Sequence, residues 1–229
     1  MRVRAVLILA TLLVTGLSGQ GVYASSDRFD VLKVAKPLPA FSLLDHSGAV
    51  FTRAQLEDNW SLMFLGFTSC PDICPVTLMK LTALRKQLKS CVATPLVPDV
   101  VLLAVDPERD QASLSQGYLN SYGTENTGIT GDWEEIDTLV DGLGGAYKFG
   151  KKNAGAHAGH HGHHGYEVVH TTAVYVINPR GAVVATMGMP FDVSAASLFL
   201  ANLMAGEGQE DKSKLNECLL KPVSVAGAD

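Results

Sequence analysis

Two cysteines at a strand-to-helix junction constrain this chain more than any other feature. The stretch Gly66-Phe67-Thr68-Ser69-Cys70-Pro71-Asp72-Ile73-Cys74-Pro75 lies between an apolar run and a periodic one. Ser61 to Phe67 reads as a buried strand. Val76 to Leu88 reads as a helix, with Leu78, Leu81, Leu84 and Leu88 repeating at three- and four-residue spacing along one core-facing stripe. Both cysteines fall near the positive end of that helix, which favours thiolate over thiol. If both lie within the first turn, the four-residue spacing puts them on one face. Such a pair can close a disulfide, hold one soft metal ion, or be two buried structural cysteines. Thioredoxin-type oxidoreductases separate their cysteines by two residues. Here Pro71, Asp72 and Ile73 make the spacer three.

The order of elements around this junction defines a fold class. Phe41 to Leu44 and Val50 to Thr52 flank the turn-rich Asp45-His46-Ser47-Gly48 and predict a hairpin ahead of the core. The continuous apolar run Val100 to Val105 predicts an interior strand covered on both faces. Helices follow from about Ser113 to Tyr122 and from Asp132, a good N-cap, to about Gly142. Gly123 to Thr130 and Gly144 to Gly165 read as loops. Glu167 to His170, Ala173 to Ile177 and Val183 to Met187 read as strands, the last two joined by the turn Asn178-Pro179-Arg180-Gly181. Ser194 is the expected cap of a final helix to about Met204. Strand, helix, strand, helix, helix, hairpin and helix is the plan of a thioredoxin-like α/β fold. It has a central mixed sheet flanked by helices, with an added N-terminal hairpin.

Composition narrows the function classes. The chain has 229 residues, is 47% hydrophobic and carries a formal net charge of −5. That suffices for one well-buried domain, expected over residues 37–205, and argues against nucleic acid as a partner. Residues 1–24 have the form of a signal peptide: basic Arg2 and Arg4, an apolar stretch from Ala5 to Leu17, and Val22-Tyr23-Ala24 before Ser25. The apolar stretch is shorter than the roughly 20 residues a spanning helix needs. The expected location is therefore periplasmic, with a membrane tie only through an uncleaved signal or a bound partner. Residues 25–36 read as a linker and residues 206–229 as a loose tail.

Two thiolates and one imidazole make a sensible copper site. Six of the seven histidines fall between residues 157 and 170. His170 stands apart from the others, at a strand end just before the core strand Ala173 to Ile177. In thioredoxin-like folds that connection faces the start of the cysteine helix and usually carries a cis-proline. No proline occurs between Pro107 and Pro179, so a side chain there is free to reach the sulfurs. The alternative for His170 is a hydrogen-bonded core histidine.

Three blocks in order now resemble one family. The cysteine block from Gly66 to Pro75 is followed by Val105-Asp106-Pro107-Glu108-Arg109-Asp110, then by Tyr166-Glu167-Val168-Val169-His170-Thr171. Together they are similar to the Sco/SenC copper proteins, over about Pro37 to Met204. The resemblance implies that Cys70, Cys74 and His170 bind copper. It also implies a role in assembling the binuclear copper centre of cytochrome c oxidase, whose copper-bearing subunit is the implied partner. A departure stands at Val169, where the family commonly has Asp. A carboxylate that would orient the imidazole or engage a partner is missing there.

Other positions have roles of their own to test. Asp106, just past the interior strand, is either a support for the site, a partner contact or an ordinary strand exit. His157, His160, His161, His163 and His164 form a glycine-rich cluster, either metal-gathering or a tolerated loop. Outside the cytoplasm, Cys91 and Cys218 invite a structural disulfide. Two functions compete for Cys70 and Cys74. One is a copper metallochaperone. The other is a thiol-disulfide reductase that keeps the oxidase cysteines reduced, drawing on a thioredoxin-like reductant; its redox pair would not need His170. Peroxidase chemistry is disfavoured, because Phe67 and Met63 stand where Thr and Pro of its motif belong.

Overall fold

In a computed structural model of the chain, the described residues are 28–91, 96–111, 117–123, 125–150, 166–207 and 217–219. Residues 1–24, the histidine cluster at 157–164 and most of the tail lie outside them. Among the described residues, ten strands and three longer helices follow in order: β1 (Phe29–Pro37), β2 (Ser42–Asp45), β3 (Val50–Thr52), β4 (Ser61–Gly66), α1 (Ile73–Lys89), β5 (Asp99–Ala104), β6 (Asn126–Thr130), α2 (Trp133–Leu143), β7 (Tyr147–Phe149), β8 (Val168–His170), β9 (Ala173–Asn178), β10 (Ala182–Gly188) and α3 (Val193–Glu207). A 3-10 turn at Arg53–Leu56 follows β3, closed by a capping box between Thr52 and Gln55.

Eight strands form one mixed sheet in the order β1-β10-β9-β4-β5-β6-β2-β3. β4, β5 and β6 run parallel, and the remaining neighbours pair antiparallel. Every residue of β4 is buried, as is every residue of β5 after Asp99. This is what central parallel strands covered on both faces require. Leu78, Leu81, Leu84 and Leu88 form the buried stripe of α1, which packs against α3. The fold is the thioredoxin-like α/β architecture, and the early hairpin β2–β3 extends the sheet beyond β6.

Several elements differ from the sequence reading. Residues 25–36 are not simply a linker, because Phe29–Pro37 is an edge strand on β10. Its charged residues Asp30, Lys33 and Lys36 suit an edge, while Phe29, Leu32 and Ala35 pack on the core. Asn126–Thr130 is a strand rather than loop. Its propensity is weak, and pairing with β5 on one side and β2 on the other holds it. Tyr147–Phe149, also expected in loop, forms a two-stranded ribbon with β8. The last helix starts at Val193, and Asp192 rather than Ser194 caps it, accepting from the Ala195 N–H at 2.9 Å.

The turn at Asn178–Gly181 forms as the sequence suggests. Gly181 takes φ 67°, and the Asn178 side-chain oxygen accepts from the N–H groups of Arg180 and Ala182. Beyond α3, Cys218 is joined to Cys91 by a disulfide, with Cα atoms 5.7 Å apart. The Gln87 amide also donates to the Leu219 carbonyl, so residues 217–219 sit against the end of α1. Among the described residues, no helix is long and apolar enough to cross a membrane.

Candidate metal centre

β4 delivers the chain to the site. The strand ends at Gly66, whose carbonyl accepts from the Val105 N–H at 3.0 Å. The chain then turns, with the Cys70 N–H bonded to the Phe67 carbonyl at 3.1 Å. Cys70 therefore precedes the helix, and only Cys74 lies within its first turn, after Asp72 as N-cap. The expected face-sharing helical pair is thus a loop cysteine beside a helix cysteine. Pro71 and Asp72 keep the chain out of helical geometry long enough to bring Cys70 back over the helix end.

His170 arrives from the other side. It ends β8 and pairs with Tyr147 across the ribbon. Its Nε2 lies 3.9 Å from the Cys74 Sγ, and its Nδ1 lies 3.0 Å from the Thr171 carbonyl oxygen. A carbonyl can only accept, so Nδ1 carries the proton and donates it there. Nε2 then presents its lone pair to the sulfurs, the tautomer a metal ligand needs. Donor atoms of Cys70, Cys74 and His170 all lie within 4.8 Å of one another. Among the described residues this is the one such cluster of three. Cys74 is 1% exposed and Cys70 8%, while His170 is half-buried.

The two thiols are electrically unlike. Cys70 is lowered to about 4, chiefly because it accepts a hydrogen bond from Cys74, with the N–H groups of Asp72 and Cys74 adding to it. Cys74 is raised, because it is the donor in that bond, is buried, and faces the Cys70 charge. The free site thus holds one shared proton between two sulfurs. A soft cation that displaces this proton gains two thiolates and an imidazole, the donor set suited to copper(I).

The surrounding residues hold these three in place. Gly66 has no room for a side chain: a Cβ would meet the Cys74 Sγ and the Leu102 Cδ1, each at 2.8 Å. Fully buried Asp110 accepts from the Thr68 N–H at 2.9 Å and from the Thr68 hydroxyl, which fixes the loop before Cys70. Asp106 is also fully buried. It is ion-paired with Arg109 and accepts from the Tyr166 hydroxyl at 3.0 and 3.1 Å. The Arg109 guanidinium lies 4.3 Å from the Tyr166 ring centre and 5.2 Å from that of Phe67, and the Phe67 ring stands edge-on to His170. Asp106 is therefore neither a mere strand exit nor a surface contact. It fastens the β5 exit to the segment that carries His170.

Sequence reasoning assigned no role to Asp110, Arg109, Tyr166 or Gly66. Charged residues just past a central strand, and a glycine ending that strand, were the available signals. Val169 points outward and is 61% exposed, adding an apolar residue to the rim of the site. With Phe67, Pro71 and Ile73 it lines an open hollow over Cys70 and His170.

A dithiol and an imidazole gathered at the helix start of a thioredoxin-like fold define a metal-binding thiol protein. Residues 32–204 match the SCO1/SenC family model, and the chain belongs to that family. It is 36% identical over 141 residues to the mitochondrial SCO2 homolog of Mus musculus, covering 62% of this chain and 52% of that protein. The chain thus spans about half the length of that relative. A putative copper-binding protein of Stutzerimonas stutzeri is 27% identical over 206 residues, covering 89% of this chain and 96% of that one. The solved structure of Arabidopsis thaliana ScoI with copper bound superposes with a TM-score of 0.65 at 27% identity, covering 73% of this chain and 98% of that one.

Proposed function

We infer that this protein is an exported copper metallochaperone, with Cys70, Cys74 and His170 as ligands. The observation that carries the reading is the arrangement of His170. Its Nδ1 proton is held by the Thr171 carbonyl, and its Nε2 is turned to the Cys74 sulfur at 3.9 Å. Dithiol exchange alone does not require an imidazole at this position, whereas a metal uses its free lone pair. Family membership and the copper-bound relative support the same metal. Copper passes from this site to the copper-bearing subunit of cytochrome c oxidase, and the apolar hollow around Cys70 and His170 is where that subunit's ligands enter. The signal-like pattern of residues 1–24 supports a periplasmic location.

A reductase role is the second reading, and one observation favours it. Cys70 is held as a thiolate, the form that attacks a disulfide. Attack by its sulfur on an oxidised cysteine pair of the oxidase subunit forms a mixed disulfide. Cys74 then displaces it, leaving a reduced subunit and an oxidised Cys70–Cys74 pair, which a thioredoxin-like reductant restores. Copper titration of the reduced protein, in wild type and His170→Ala, separates the readings when paired with oxidase assembly in cells. The chaperone reading expects one copper per wild-type chain, and loss of tight binding together with loss of assembly in the variant. Lost copper binding with intact assembly would leave the reductase as the working role.

A further inference from the structure

Away from the sulfurs, three aromatic rings form a box. Trp133 opens α2, Phe149 ends β7 and Tyr166 leads into β8. The Phe149 ring is 5.3 Å from Trp133 at 88° and 5.4 Å from Tyr166 at 77°. Two walls thus stand nearly upright on one floor. With Glu108 and Gly150 they line an open cavity of about 190 Å³. Tyr147, whose hydroxyl donates to Asp137 at 2.6 Å, supports the floor and the Trp133 wall.

Among the described residues at this box, Glu108 and Glu134 are acidic and Arg109 is the one base. Arg109 lies on the Tyr166 ring, but its charge is met by Asp106. Glu108 is exposed and forms no ion pair with any described residue. Glu134 stands beside Trp133 in the first turn of α2. Aromatic faces with a carboxylate at the lip attract cations, since the ring quadrupole and the carboxylate act together. An apolar guest would gain from the rings but leave Glu108 without a counter-charge.

We propose that this aromatic box binds an organic cation, and that its occupant is an arginine side chain of the protein that docks over the copper mouth. Tyr166 and His170 are four residues apart on one extended segment, roughly 13 Å at strand rise. A partner seated over the hollow around Cys70 and His170 reaches the box with one side chain. A flat guanidinium fits between upright rings and meets Glu108 at the lip. Identifying the occupant with the docking partner rests on the chaperone reading; cation binding itself does not.

The test uses the full mature protein without copper and N-acetyl-argininamide as probe. N-acetyl-citrullinamide, the same shape without the charge, is the control. Trp60, the other tryptophan, is 3% exposed, so a fluorescence change on titration reports Trp133, which is 37% exposed. Saturable binding in the millimolar range is expected, at least about fivefold weaker for the neutral probe. Glu108→Gln is expected to weaken the arginine probe about two- to fivefold. Trp133→Leu, followed by saturation-transfer NMR on the probe, is expected to abolish the contact while one copper still binds to Cys70 and Cys74. Equal binding of the two probes, or arginine binding untouched by both substitutions, overturns the proposal. Loss of copper binding in wild-type protein would instead strike at the chaperone reading and leave the cation result standing.

Discussion

Replacing Gly66 by alanine tests whether the seat of Cys74 sets copper affinity. Both atoms that crowd the new Cβ, the Cys74 Sγ and the Leu102 Cδ1, are 2.8 Å away and belong to buried residues. Ordinary contact is about 3.5–4.0 Å, so each neighbour must retreat by about 1 Å. Leu102 is fully buried on the central strand β5, so its side chain cannot absorb the whole displacement and the sulfur must shift as well. Overpacking of this kind costs about 1–3 kcal/mol of stability. Metal sites tolerate donor errors of only about 0.2 Å, so copper affinity should fall at least about tenfold, or about 1.4 kcal/mol.

Gly131→Ala supplies the control. Its Cβ would meet the Leu43 Cδ2 at 2.8 Å, a clash as close but against one core leucine, on β2, three strands away from β4 in the sheet. Neither glycine has a left-handed φ, so alanine strains neither backbone. Urea denaturation should show similar losses for the two variants. Competition for copper(I) against a chromophoric chelator should show weakened binding in Gly66→Ala alone. If both variants kept wild-type affinity while losing stability, the view that Gly66 positions the Cys74 sulfur would be refuted.

Four further perturbations probe the same structure. Copper(I) binding near pH 7 should release one proton, from Cys74, because Cys70 already sits at about 4 while Cys74 is raised. Raising the pH removes the competing proton, so affinity should climb about tenfold per unit between pH 7 and 8. Calorimetry in buffers of different ionisation enthalpy that counted two protons would contradict the asymmetry. Tyr166→Phe strips both hydroxyl contacts from the buried Asp106 carboxylate, and should cost about 1.5–3 kcal/mol in urea denaturation and weaken copper binding about tenfold or more. Replacing Cys91 and Cys218 by serine opens a disulfide spanning 127 residues, and should lower unfolding free energy by about 3–5 kcal/mol without altering copper stoichiometry. Deleting residues 156–164, which include His157, His160, His161, His163 and His164, should leave one tightly bound copper but reduce loading at scarce metal; an unchanged loading curve dismisses a metal-gathering role.

The central elements were legible because their burial is written in local pattern. β4 and β5 are unbroken apolar runs, α1 carries a leucine stripe, and the β9–β10 turn has its own residues. What escaped were elements whose stability is not local. Asn126–Thr130 becomes a strand only because β5 and β2 flank it. Tyr147–Phe149 needs β8, which arrives after the glycine- and histidine-rich stretch, and so it read as loop. β1 pairs with a strand more than 140 residues downstream, and its alternation is broken by a register shift between Val31 and Lys36. The three candidate ligands were readable, because cysteine and histidine carry their chemistry in their identity. Their supports were not: an aspartate past a strand looks alike whether it holds a hydroxyl, an arginine or nothing.

The three-residue spacer between the cysteines has a consequence that a shared helix face would not. With both cysteines in one turn, their environments would be similar, and the pair would titrate as near equals. Placing Cys70 before the helix and Cys74 within it lets the Cys74 thiol donate to Cys70, with the backbone N–H groups of Asp72 and Cys74 further favouring charge there. The deeper sulfur, 1% exposed, keeps the proton. A metal arriving through the hollow therefore meets a ready thiolate first. It takes the second only after displacing a proton, and His170 closes the site from the ribbon opposite. If copper binds as proposed, the offset between loop and helix would make Cys70 the entry ligand and Cys74 the locking one.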